Sequence, residues 1–217
     1  ANVVQDFKAD NNKISDISVV AFFFFLNNLS LANTNVNDIS SISACINLTI
    51  LNLSGSQVSD LSPLNNLLKL YDLDISNTPV NNISAIQSLV NLHFLNIDGT
   101  EVTDLSPLKS LDRLNEVNFS NTKISDLMTL DNMSRLSKIY CDNSLVDKKM
   151  ADKFMSSNPN VLVIYETQAL ELWWNALPSF WKDLLTDQAM TNKKPSKEEL
   201  HSIINIKNLK INHFIQD

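Results

Sequence analysis

Residues 92–113 read LHFLNIDGTEVTDLSPLKSLDR, and the same skeleton returns every 22 residues along the chain. Leu51, Leu73, Leu95, Val117, Ile139 and Val161 stand at that spacing, as do Leu53, Ile75, Ile97, Phe119, Cys141 and Val163. A third column holds Val36, Val58, Val80, Val102, Ile124 and Val146, and a fourth Leu48, Leu70, Leu92, Leu114 and Leu136. Read backward, Phe7, Ile14, Asp16, Ile17 and Ser18 take the places later held by Leu29, Val36, Asp38, Ile39 and Ser40, so the array begins within the first few residues. Such a period decides the architecture before any local reading. One unit cannot bury its apolar side alone, whereas stacked units make a continuous core. The LxL pair of each unit falls on a short strand whose alternate side chains point inward, and the remainder returns over the outside.

Written as LxxLxLxxT followed by xVxDLSPLxxLxx, the unit resembles the leucine-rich repeat, and specifically the bacterial, internalin-like 22-residue class. The resemblance covers about residues 1–165, in about seven units. It implies an α/β fold: a curved right-handed solenoid with a parallel β-sheet on its concave face and short helical turns outside. It also implies non-catalytic binding of a protein or peptide, in a bacterial surface or secreted setting. Thr34, Ser56, Thr78, Thr100, Thr122 and Ser144 stand where the class commonly places Asn. Their hydroxyls are expected to bond backbone groups at the turn leaving the strand.

On the return segment, Ser62-Pro63 and Ser106-Pro107 put a capping hydroxyl before a Pro, as at the start of a short helical turn, and Ser40 and Ser84 keep the Ser. Asp38, Asp60, Asp104 and Asp126 precede it, with Asn82 in one unit, and recurrence in unit after unit assigns them to turns rather than to catalysis. Residues 147–156 read as a fuller helix with Met150, Phe154 and Met155 as its apolar stripe. The strand after it departs from the others, because Leu162 and Ile164 fall where earlier units carry polar groups, and an exposed apolar edge needs a cover. Leu170, Trp173, Trp174, Leu177, Trp181 and Leu184 follow helical spacing broken at Pro178, predicting helices over about 168–176 and 178–186. The segment 166–190 thus reads as a Trp-rich cap or joint, with an exposed aromatic patch that docks a partner or a glycan as the alternative.

Residues 191–217 read as a polar linker, then a short helix opened by the Ser196/Glu199 capping box. Ile203, Ile206, Leu209 and Ile211 next reproduce the spacing of Leu67, Leu70, Leu73 and Ile75, as if a second array opened in a longer parent chain. Of the Phe22–Phe25 run, Phe23 takes a core position, and the other three are expected under the N-terminal residues, with an apolar convex patch as the alternative.

A formal charge of −7 disfavours nucleic acid and anionic membranes as partners. No apolar run is long enough to insert in a bilayer. The start, Ala-Asn-Val-Val-Gln-Asp, has no signal-peptide pattern, so any such peptide lies outside the given sequence. Two Gly residues in 217 argue against phosphate-cradling loops. His93, His201 and His213 are dispersed, which predicts no metal site. Cys45 and Cys141, four units apart at about 4.8 Å per strand, are expected as free buried thiols. No cofactor and no catalytic residue are expected.

Six of the seven net negative charges lie in the array. Strand alternation sends Asn52, Asp72, Asp74, Phe94, Asn96, Asp98, Glu116, Asn118, Tyr140 and Asp142 to the concave face. A basic protein or peptide segment docking there is the reading the charge favours. A structural spacer between arrays, or a carbohydrate platform built on Phe94 and Tyr140, stands beside it.

Overall fold

The computed structural model describes residues 3–189 and 195–205. Among the described residues, eight three-residue strands form one parallel sheet in chain order: β1 (Asp6–Lys8), β2 (Asn28–Ser30), β3 (Ile50–Asn52), β4 (Asp72–Asp74), β5 (Phe94–Asn96), β6 (Glu116–Asn118), β7 (Lys138–Tyr140) and β8 (Leu162–Ile164). From β1 to β7 each residue pairs with the one 22 positions on, as in Leu73 with Leu95 and Leu95 with Val117. The four apolar columns are buried along the array, forming one core between the sheet and the returning turns. This is the leucine-rich repeat solenoid that the periodicity predicts.

The last rung departs from that period. Ile139 pairs with Val163, not with Val161, so the unit spans 24 residues. Earlier return segments are 3-10 turns, such as Ser84–Ser88 and Ser106–Ser110, whereas the last is the α-helix α1 (Lys148–Ser157). An α-helix rises about 1.5 Å per residue against about 2.0 Å for a 3-10 helix, so more chain is needed to cover the same span. A slip of two preserves strand parity: Val163 still points into the core and Tyr165 falls in the column of Cys141.

The turns leaving the strands are built as expected from the hydroxyl column except at Ser56, whose buried hydroxyl bonds nothing. Thr34, Thr78, Thr100 and Thr122 donate to the carbonyls of Leu31, Ile75, Ile97 and Phe119 at 2.6–2.7 Å, and Ser144 to that of Cys141. The preceding position is left-handed throughout: Asn33, Gly55, Asn77, Gly99, Asn121 and Asn143 all have φ between 54° and 66°. Both glycines of the chain are spent here, and a Cβ on Gly99 would stand 2.7 Å from Asn77 Oδ1.

Two local expectations are corrected. The recurring Ser does not cap with its own hydroxyl: Asp60 Oδ1 accepts from Ser62 N at 2.8 Å, Oδ2 accepts from the Ser62 hydroxyl, and Asp104 treats Ser106 alike. The carboxylate is therefore the cap, with Asn82 substituting at Ser84. Phe22, Phe24 and Phe25 do not pack under the N-terminal residues but stand exposed; only Phe23 turns inward, its ring 5.7 Å from that of Phe7.

Beyond the sheet lie α2 (Thr167–Ala176), α3 (Ser179–Ala189) and α4 (Lys197–Asn205). The capping box forms, with Ser196 N donating to Glu199 Oε2 and Glu199 N to Ser196 Oγ. The cover of β8 is α4 rather than the Trp helices: His201 bonds the Tyr165 backbone, and Ile164 is buried. Trp174 in turn buries against Leu200 and Ile203 of α4 and Leu185 of α3. Ile206, Leu209 and Ile211, on which a second array would rest, lie outside the described residues. No helix among the described residues is long and apolar enough to cross a membrane.

Candidate functional site

The short strands fix what the open face carries. With Leu51, Leu73, Leu95 and Val117 turned into the core, the flanking residues of each strand must face the other way. One column reads Ile50, Asp72, Phe94, Glu116, Lys138 and the next Asn52, Asp74, Asn96, Asn118, Tyr140. Parallel pairing without a register slip sets these side chains side by side from rung to rung.

A hollow of about 350 Å³ lies over β4 to β7. Seven residues singled out from the sequence meet in it: Asp72, Asp74, Phe94, Asn96, Glu116, Asn118 and Tyr140. Its carboxylates crowd one another. Burial, then the charges of Asp74 and Glu116, raise the Asp72 carboxyl above its ordinary value. Lys138 relieves Glu116 only at 3.8 Å. The Tyr140 phenol is pushed up by burial and by Glu116 and Glu198. Asp74, Asn96 and Asn118 each accept, through Oδ1, the backbone N–H two residues on, which stiffens their side chains.

Two wall residues come from α4 and escape sequence reasoning. Lys197 Nζ sits 4.5 Å above the centroid of the Tyr140 ring, and Glu198 joins the lining. Burial alone would raise the Glu198 carboxyl, but its own backbone N–H, the Ser196 hydroxyl, Lys197 and Tyr140 hold it low. The capping box announces a helix at this point of the chain, but nothing in the sequence says that it docks on the sheet.

The other three candidates lie apart from the hollow. Asn52 accepts from the backbone and hydroxyl of Ser54, and Asp98 from Asn121 Nδ2. Asp142 is taken up by the joint: its carboxylate receives the Thr167 N–H at 2.8 Å and hydroxyl at 2.7 Å, at the start of α2. Cys45 and Cys141 are free and buried, and burial raises both thiols, which keeps them protonated and unreactive. Among the described residues no three of His, Cys, Asp and Glu stand close enough together to hold a metal ion.

Comparison with solved structures places the fold among leucine-rich repeat proteins of Listeria monocytogenes. The internalin InlF matches with a TM-score of 0.68 at 23% identity, over 74% of this chain and 47% of InlF. Internalin C2 matches at 0.63 and 22% identity, over 74% of this chain and 80% of its own. The functional domain of InlJ, which includes a cysteine ladder, matches at 0.59 and 19% identity, over 74% of this chain and 39% of that one. The chain thus spans about half the length of the InlF structure. Its own two Cys residues occupy different columns of the repeat and build no such ladder. No family model and no curated protein matches the sequence.

Proposed function

We propose that the chain is a non-catalytic protein-binding module whose concave face receives a basic segment of a protein partner, at Asp72, Asp74 and Glu116 between Phe94 and Tyr140. The observation that carries this reading is the seat of Lys197, one of the chain's own cations, over Tyr140 beside Glu198. A basic side chain from a partner would use the same chemistry two rungs further in, on Phe94 and the crowded carboxylates, and would relieve the repulsion that adds to burial in raising Asp72. The rival carbohydrate platform is less well served. Tyr140 is 9% exposed and already faced by Lys197, and the Asn96 and Asn118 carbonyl oxygens are occupied by backbone N–H groups. The fold likeness favours a bacterial surface or secreted setting, within a longer parent protein.

A Lys/Arg-rich dodecapeptide serves as probe, with titration calorimetry as the readout. Asp72→Lys with Asp74→Lys should weaken it by about tenfold or more while leaving the protein folded by circular dichroism. Equal affinity for the parent and the reversed variant would move the site elsewhere. Neutral glycans binding at Phe94 in preference to the peptide would establish the carbohydrate reading instead. A spacer role would leave both probes unbound.

A further inference from the structure

A second surface runs along the edge where the strands begin, at the corner by which each return segment re-enters the sheet. Phe24, Ile46, Leu68 and Val90 occupy one repeat position in four successive units and are 60%, 58%, 50% and 50% exposed. Stacked unit upon unit, they form an apolar row along that edge. Single exposed apolar residues are ordinary, but four in one column of a repeat are an ordered feature. The solenoid does not require them, because Asp112 and Ser134 hold the same position in later units.

Beside the ridge is a hollow of about 500 Å³ whose lining includes Ile50, Lys69, Tyr71, Asn91, His93 and Arg113. Its floor is the Tyr71–His93 pair, stacked at 4.2 Å with 24° between the rings. Its charges are two cations one column apart from the ridge, each held from the preceding units: Lys69 Nζ donates to Asn47 Oδ1 and Arg113 Nη1 to Asn91 Oδ1, both at 2.7 Å. None of the lining residues is a carboxylate, in a chain of net charge −7. The amide of Asn91 is held at both ends, since Nδ2 donates to Leu68 O while Oδ1 accepts from Arg113. His93 Nδ1 donates to Asn91 O.

We infer that this edge is an interface for an acidic, amphipathic protein segment: its apolar side chains lie on Phe24, Ile46, Leu68 and Val90, its carboxylates meet Lys69 and Arg113, and a flat side chain enters the hollow over Tyr71 and His93. The chemistry selects this occupant. The apolar ridge presents no hydrogen-bonding groups to a polysaccharide, and the hollow has no carboxylate and one amide, Asn91, already held at both ends. An anionic bilayer would meet a recess and, close by, the acidic floor of the sheet. A protein segment matches apolar, anionic and planar features together, and guanidinium–carboxylate pairing adds direction. This surface adjoins the concave floor at Ile50 and at Tyr71, whose ring meets Phe94 edge-on at 5.4 Å, but the two hollows share no charged residue, so charge reversal tells them apart.

The test uses the full chain and a synthetic fourteen-residue peptide alternating Glu with Leu and Tyr, beside the same peptide with Gln for Glu. The Glu peptide should shift the NMR signals of the His93 ring and the Arg113 guanidinium. Its affinity should fall about tenfold or more in Lys69→Glu/Arg113→Glu and also in Leu68→Ser, while Asp72→Lys/Asp74→Lys leaves it no weaker. Equal binding of the Gln peptide, indifference to the exposed-site reversals, or shifts confined to the floor would overturn the inference. So would preferential engagement of His93 and Arg113 by heparin or by phosphatidylserine vesicles.

Discussion

His201 Nε2 lies 2.9 Å from the backbone nitrogen of Tyr165 and 2.6 Å from its carbonyl oxygen, while Nδ1 bonds Lys197 O at 2.7 Å. With Nδ1 donating to Lys197 O, Nε2 accepts from the Tyr165 N–H and stands where a carbonyl of a ninth strand would otherwise satisfy that donor. The imidazole also holds α4 in the position from which Lys197 and Glu198 reach the concave hollow.

His201→Ala should therefore cost about 1–3 kcal/mol, the range for orphaned buried backbone groups. It should also speed hydrogen exchange at the Tyr165 amide. An amide that keeps its protection would show that α4 is anchored by Leu200 and Ile203 instead.

Leu95 is 2% exposed in the central rung. Truncation to Ala should remove about 2–5 kcal/mol in urea unfolding, and a loss under about half a kcal/mol would contradict the inward column.

The hydroxyl column contains its own control. Thr100 Oγ1 donates to Ile97 O at 2.7 Å, whereas the buried Ser56 Oγ has no hydrogen-bond partner. Thr100→Val should cost about 1 kcal/mol and Ser56→Ala nearly nothing or less, because the latter removes a buried polar atom that bonds nothing. The reverse order in thermal melts would refute this.

The capping carboxylates set an acid limit. The backbone and hydroxyl hydrogen bonds of Ser40 and Ser62 hold Asp38 and Asp60 below their ordinary value of 3.8, and those of Ser106, the hydroxyl foremost, do the same for Asp104. A depressed folded value means stability that is present above pH 3.8 and lost as pH falls through the folded value. Asp60→Asn with Asp104→Asn should flatten the acid limb of the melting curve while changing little at pH 7, since Asn82 caps Ser84 the same way. An unaltered acid limb would assign the transition to other groups.

Asp72 carries the opposite sign. Its raised value means that the ionised form is disfavoured in the fold, so the stability it lends is present below pH 3.8 and lost as pH rises. Asp72→Asn should melt higher than the parent at pH 7, with the difference closing in acid. A lower melting point at pH 7 would mean that the carboxylate is doing structural work on the floor.

The sequence by itself determined the rungs. Apolar columns that recur in phase leave one stacking and one inward face, and the same parity sent Asp72, Asp74, Phe94, Glu116 and Tyr140 to one surface. Repetition made this legible, because every unit restates the same local pattern. What happens once has no such signal. The two-residue slip at Val163 was hidden because Val161 and Val163 share a parity and either satisfies the pattern. The docking of α4, the loss of Asp142 to Thr167 and the outward turn of Phe22, Phe24 and Phe25 are single packing events. They are set by which surfaces meet in three dimensions, where contacts between distant segments outweigh any preference written into the segment itself.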